Sequence, residues 1–133
     1  MAKYLLDSDT LIYFLKGRSE TVSALVAHSP DDLVTSRINY AELLYGAYNS
    51  AKVEQNLRII VPFLENFEIF EFDRTAAEIF AKEKARLKKS GTMIADMDLM
   101  IASVALANDL TLVTNNTRHF ERIKTLRLEN WAR

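Results

Sequence analysis

Apolar residues fall along this chain in two rhythms. Short solid runs such as Tyr4-Leu5-Leu6 and Leu112-Val113 read as buried strands, and stretches with three-to-four spacing between them read as helices. The first strand is Lys3–Asp7. Helical spacing follows over Ser8–Lys16, through Leu11, Ile12, Phe14 and Leu15, and stops at Gly17. Ser19 caps a helix over about Glu20–His28, Asp31-Asp32 make a turn, and Leu33-Val34-Thr35 is a strand. Two helices come next, about Ile38–Asn49 and Ala51–Asn66, the second with Pro62 near its end. Glu68–Phe72 is a strand, and Asp73 caps a long helix over about Arg74–Ser90 that ends at Gly91. The chain closes with helix Met97–Asn108, strand Thr111–Thr114, short helix Thr117–Ile123 and strand Leu126–Leu128.

Strands alternating with helices predict an α/β fold. Its core is a short, mostly parallel central sheet of about five strands, flanked by helices on both faces. The 133 residues fit one domain, 1–133, large enough to bury a core without staples. There is no cysteine, which removes disulfides and thiolate metal sites. The N-terminus lacks the apolar heart of a signal peptide, and the longest near-apolar stretch, Leu99–Ala107, is too short to span a bilayer. The expectation is a cytoplasmic protein with no membrane partner. The first strand-to-helix turn reads Asp7-Ser8-Asp9-Thr10. It has no glycine, so the dinucleotide fingerprint and the P-loop are both absent.

Acidic residues stand where such a fold does chemistry. Asp7 ends the first strand, Glu42 lies two turns into a helix, and Asp96 and Asp98 open another. The carboxyl ends of parallel strands share one crevice, where ligands bind. Carboxylates that converge there repel one another unless a hard cation neutralises them, which points to Mg²⁺ or Mn²⁺ and phosphoryl chemistry. Asp96 and Asp98, two apart on a helix, face different ways. Asp98 is the better placed for the site and Asp96 reads as the N-cap. Asp9 either joins the site or complements the helix dipole. Plainer roles exist for the others: Asp7 as a helix cap, and Glu42 paired with Arg37 or Lys52. The Thr114-Asn115-Asn116 segment either holds a water or phosphate oxygen or is an ordinary turn.

Net charge is −1, which argues against nucleic-acid binding by bulk positive charge. Setting aside Asp7, Asp9, Glu42, Asp96 and Asp98 leaves the remainder at +4. Lys82, Lys84, Arg86, Lys88 and Lys89 cluster late in one helix, and Arg118, His119 and Arg122 follow the fourth strand. His28 reads as a surface residue, and His119 as a phosphate contact rather than a base.

These pieces together resemble a family. Tyr4-Leu5-Leu6-Asp7-Ser8-Asp9-Thr10, Ala41-Glu42-Leu43-Leu44-Tyr45-Gly46, Asp98-Leu99-Met100-Ile101-Ala102 and Leu112-Val113-Thr114-Asn115-Asn116-Thr117-Arg118-His119-Phe120 occur in the order and spacing of PIN-domain ribonucleases. The match is specifically to VapC toxins of bacterial VapBC toxin–antitoxin pairs, and the ending Leu126-Arg127-Leu128-Glu129-Asn130-Trp131 is similar too. The resemblance implies a metal-dependent endoribonuclease that cuts RNA, most often tRNA, leaving a 5′-phosphate and a 3′-hydroxyl. It implies Asp7, Glu42 and Asp98 as catalytic metal ligands for Mg²⁺ or Mn²⁺, with Thr114 and Asn116 orienting water or phosphate. The fourth family acid falls at Asn116 here, and Asp9 replaces the usual asparagine. Arg37, Lys88, Lys89, Arg118 and Arg122 are the expected RNA contacts. The implied partners are a VapB-type antitoxin laid across the active-site groove and a second copy of the toxin, in a homodimer that becomes a heterotetramer or larger with antitoxin. Leu11, Ile12, Phe14, Leu15 and Leu43–Tyr48 are the expected apolar surface for the antitoxin.

A receiver-like signalling domain is the rival from another class. It needs an aspartate ending the third strand and a lysine ending the last, and leaves Glu42 unexplained. A PIN-like scaffold that binds RNA without cutting is supported by Asn116 alone.

Overall fold

Five short strands form where the apolar runs fall. In the computed structural model, which describes residues 3–133, they are β1 (Tyr4–Leu6), β2 (Leu33–Ser36), β3 (Glu68–Phe70), β4 (Thr111–Val113) and β5 (Leu128–Glu129). All pairings are parallel, in the order β3-β2-β1-β4-β5. Parallel neighbours cannot be joined by hairpins, so every connection crosses a face of the sheet, and most carry helix. The helices are α1 (Ser8–Leu15), α2 (Ser19–Val26), α3 (Arg37–Tyr48), α4 (Val53–Leu64), α5 (Arg74–Ser90), α6 (Asp96–Ala107) and α7 (Thr117–Phe120).

The pleat divides the core in two. Successive side chains of a strand point to opposite faces. Leu5 and Leu112 therefore join one cluster, with Leu87, Leu99, Ile101 and Phe120 of α5–α7. Leu6 and Val113 join the other, with Leu11, Leu25, Leu43 and Leu64 of α1–α4. The order in which strands are added reverses at β1, outward to β2 and β3 on one side and to β4 and β5 on the other, so a crevice opens beyond the carboxyl ends of β1 and β4, next to Asp7 and Thr114.

Local punctuation works as read. Gly17 and Gly91 take φ of 75° and 69° just after α1 and α5, a left-handed geometry that glycine adopts without penalty. Asp73 caps α5 by accepting from the Ala76 amide at 3.0 Å. Several expectations are refined. The turn at Asp31-Asp32 is a single 3-10 turn, Pro30–Asp32. Helix α7 stops at Phe120 rather than Ile123. Phe120 and Ile123 are both buried and satisfy the apolar pattern without continuous helix, and the last strand begins at Leu128 because Leu126 turns into the core. Asp96 is the first residue of α6 and not its cap. Ala95 holds the cap position with no side-chain bond, and Asp96 pairs with Lys84 at 3.0 Å. His28 is half-buried: its ring stacks on Trp131 (centroids 4.6 Å, 15°) and meets Tyr4 edge-on at 4.6 Å, which ties the C-terminal segment to α2 and β1. Among the described residues no helix is long and apolar enough to cross a membrane.

Leu5 lies in the central strand with no exposed surface. Leu5→Ala should lower unfolding stability by about 2–5 kcal/mol, because the cavity cannot close beneath two packed layers. Urea denaturation with an unchanged slope would show this; a loss below roughly 1 kcal/mol would mean the site relaxes.

Candidate active site

Asp7 is where the crevice begins. It follows β1, caps α1, and is only 7% exposed. Its Oδ1 accepts from the Ser8 amide and from the Asn39 side-chain amide, both at 2.9 Å, and its Oδ2 accepts from the Thr114 hydroxyl at 2.8 Å. Donors from α1, α3 and the end of β4 therefore converge on one carboxylate. Burial pushes its pKa up to about 7. The Asp9 charge adds to this, the Thr114 and Ser8 hydrogen bonds oppose it, and the Glu42 charge raises it further.

Glu42 reaches the crevice from the second turn of α3, where its Oε1 accepts from the Ser8 hydroxyl at 2.7 Å. Its pKa is also raised, first by burial, against the Ser8 bond, and then by Asp98 and Asp9. Asp98 enters from the first turn of α6, with its carboxylate largely covered. Asp9 accepts from the Asn115 amide at 3.0 Å and from the Thr114 hydroxyl at 3.4 Å, so it belongs to the cluster. Asp96 is held away by Lys84.

The structure thus gathers Asp7, Glu42, Asp98 and Asp9 with Thr114 beside them. Thr114 is itself fully buried and orients Asp7 rather than facing solvent. Asn116 donates its main-chain amide to Thr114 Oγ1 at 3.0 Å, while its side chain meets His119 Nδ1 at 2.8 Å. Sequence reasoning missed Asn39, which is fully buried. It is held by Ser36, the cap of α3, whose hydroxyl donates to Asn39 Oδ1 at 2.6 Å, and it in turn donates to Ser8 Oγ at 3.0 Å. Its signal was its position one helical turn before Glu42, on the same face.

The expected RNA contacts divide. Lys88, Lys89 and Arg118 are exposed. Arg37 forks onto Glu71 (3.1 and 2.7 Å), and Arg122 donates to the Met93 carbonyl, so both are already engaged. The expected apolar surface changes as well. Leu11 has no exposed area and is core. A groove of about 420 Å³ beside Glu42 is lined by Ile12, Leu15, Leu43, Gly46 and Ala47 of the expected surface, together with Lys16, Ile59 and Ile60.

All donors in the cluster are hard oxygens, and ionisation of Asp7 and Glu42 is disfavoured by burial and by their neighbours. This is the chemistry a divalent cation reverses. Among the described residues no three carboxylate or imidazole groups surround one point closely enough to hold an ion alone. Oxygen donors of this kind suit a cation that keeps part of its water shell, as Mg²⁺ does when bound by one or two carboxylates.

The PIN domain family model matches residues 4–126. Ribonuclease VapC2 of Haemophilus influenzae is 38% identical over 132 residues, covering 99% of this chain and 100% of that protein. The tRNA(fMet)-specific endonuclease VapC of Salmonella typhimurium is 35% identical over 132 residues, with 99% and 100% covered. Among solved structures, DNA-bound VapBC from Salmonella typhimurium superposes with a TM-score of 0.90 at 35% identity, covering 98% of this chain and 99% of that one. VapBC-1 from nontypeable Haemophilus influenzae gives 0.87 at 32% identity, with 98% of each covered.

Folding raises the Asp7 pKa from 3.8 to about 7, so the protonated acid favours the fold. That contribution is present below about pH 4 and is lost as pH rises through about 7. In EDTA, Asp7→Asn should therefore be more stable than the native chain at pH 8, by roughly 1–3 kcal/mol. The gap should close towards pH 4. A gap that is the same at both pH values in urea titrations would show that Asp7 ionisation does not oppose folding.

Proposed function

The chain belongs to the PIN-domain family and, within it, to the VapC toxins, and from that premise we propose that it is a divalent-cation-dependent endoribonuclease acting on tRNA and neutralised by a VapB-type antitoxin. One observation carries the reading. Four carboxylates from α1, α3, α6 and the end of β1 meet at the sheet's switch point, and no lysine or arginine of the described chain lies within 4 Å of any of them. Their charge is left for a bound cation to balance.

Asp7, Glu42 and Asp98 would hold Mg²⁺ or Mn²⁺. When bound, the cation lowers the pKa of water and offsets the charge of the scissile phosphate. The chain's own residues do the positioning. Asn39 and Thr114 fix both oxygens of Asp7, and Ser8 fixes Glu42. Asp9 anchors the loop after β4 through the Asn115 amide. Water attacks phosphorus, the bond to the 3′-oxygen breaks, and the products are a 5′-phosphate and a 3′-hydroxyl. Water supplies the nucleophile, so neither Asp7 nor Glu42 needs to attack. Lys88, Lys89 and Arg118 are the exposed cations left to hold the RNA backbone.

Relatives in solved complexes are VapBC pairs, which supports an antitoxin partner for this chain. The apolar groove that ends at Glu42 offers such a segment a floor of Ile12, Leu15, Ile59 and Ile60. An occupant of this groove lies against the active site, which explains neutralisation by simple obstruction.

Purified chain incubated with total tRNA and Mg²⁺ or Mn²⁺ should give discrete fragments. Asp7→Asn, or EDTA, should lower the rate at least ~100-fold, the scale on which one element of electrostatic stabilisation acts. Fragments of equal yield in EDTA would sink the cation reading, and intact tRNA in every lane would sink the substrate reading.

Ile59, at 51% exposure, can be changed without opening the core. Ile59→Glu should weaken binding of the cognate antitoxin at least ~10-fold by calorimetry, since it places an unpaired charge in an apolar contact. Unaltered affinity would move the antitoxin to another surface.

A further inference from the structure

One cation-capable side chain, which the sequence marks as a phosphate contact, stands beside the four acids, and the mechanism above leaves it out. His119 Nδ1 lies 3.6 Å from Asp98 Oδ2, and no other lysine, arginine or histidine among the described residues comes within 4 Å of Asp7, Asp9, Glu42 or Asp98. Several of the surrounding cations are spent elsewhere. Arg37 is on Glu71, Lys84 on Asp96, Arg86 on Glu83, and Arg122 on the Met93 carbonyl. An RNA phosphate approaching four carboxylates meets repulsion and can be held only by donors. Among the donors at this edge of the crevice are the imidazole of His119 and the amide of Asn116, which touch each other at 2.8 Å.

We infer that His119, set by Asn116, is a substrate-binding residue that donates a hydrogen bond to an RNA phosphate next to the scissile bond. This rests on the nuclease reading and deepens it. In the tautomer whose Nδ1 accepts from the Asn116 amide, the ring's proton is on Nε2, which has no hydrogen-bond partner among the described residues. The side chain is about half exposed, against 23% for Asp98, so it stands at the mouth while the acid stands within. Two alternatives fit less well. As a cation ligand, Nδ1 is already engaged, and a hard ion prefers the oxygens beside it. As a purely structural partner of Asp98, it sits beyond hydrogen-bond distance. The position of Asn116 also becomes intelligible. An acid there would repel the phosphate, whereas an amide both orients the imidazole and adds a donor.

The test compares the native chain with His119→Ala and His119→Gln. Steady-state cleavage of total tRNA separates KM from kcat. Filter binding of labelled total tRNA to the same variants in the Asp7→Asn background gives affinity without cutting. The Mg²⁺ concentration at half-maximal thermal stabilisation, without RNA, reports the cation site. A contact made equally in the ground and transition states changes KM and not kcat. His119→Ala should therefore raise KM and weaken tRNA binding about 10-fold, the scale of a hydrogen bond to a charged group, with kcat held within about twofold. Its Mg²⁺ midpoint should stay unchanged, and His119→Gln, which keeps an N–H donor, should recover most of the loss. A Mg²⁺ midpoint raised several-fold with tRNA affinity intact would place His119 in the cation's shell and overturn the inference. So would a variant identical to the native chain in every readout. A native chain that neither binds nor cuts tRNA would overturn the nuclease reading itself, and is distinguishable because it appears before any variant is made.

Discussion

The Asp7 carboxylate accepts three hydrogen bonds, and each comes from a different part of the chain. The Ser8 amide opens α1, the Asn39 side chain rises from α3, and the Thr114 hydroxyl ends β4. The Asp7 amide in turn donates to the Val113 carbonyl, so both ends of this one residue stitch β1 to its neighbour. Remove the carboxylate's acceptors and three buried donors lose their partner, at a cost comparable to losing a cap from each element. The geometry of the crevice follows from this convergence. Ser8 is turned to reach Glu42, Asn39 is locked by Ser36, and Thr114 receives the Asn116 amide.

The same carboxylate is also where folding and chemistry conflict. Its burial and the charges of Asp9 and Glu42 make the ionised form costly, yet only the ionised form draws a cation. Asp96 shows the alternative. It sits two residues from Asp98, takes a lysine partner at the surface, and contributes nothing to the cluster. Four clustered acids without a lysine or arginine partner contrast with the surface pairs Lys3–Glu68, Arg37–Glu71 and Arg127–Asp109. Unbalanced charge of this kind marks a site that a ligand completes.

Burial also sorts the surfaces available to partners. Leu11, apolar and early in α1, is wholly enclosed by the second core cluster, whereas Ile12 and Leu15 on the same helix line the groove beside Glu42. Helical spacing places these three on adjacent stripes, and only the packing of α1 against α3 and α4 separates core from groove. Arg37 and Arg122 stay at the surface, each with a partner inside the chain.

The sequence by itself determined the alternation of strand and helix, the glycine stops at Gly17 and Gly91, and the Asp73 cap, because each depends on a few neighbouring residues and a fixed period. It also marked Asp7, Glu42 and Asp98, because strand ends and helix starts can be located from that period and their pooling in one crevice follows from parallel pairing. It left open which of Asp9 and Asp96 joins them, overlooked Asn39, set His28 on the surface and put Leu11 on a docking face. Those questions turn on contacts between residues far apart in the chain: Asp9 with Asn115, Asp96 with Lys84, Asn39 with Asp7, His28 with Trp131, and Leu11 with the second core cluster. Periodicity says which way a side chain leaves its own helix or strand. Which atoms it then meets depends on how those elements stack, and that the tertiary structure alone decided.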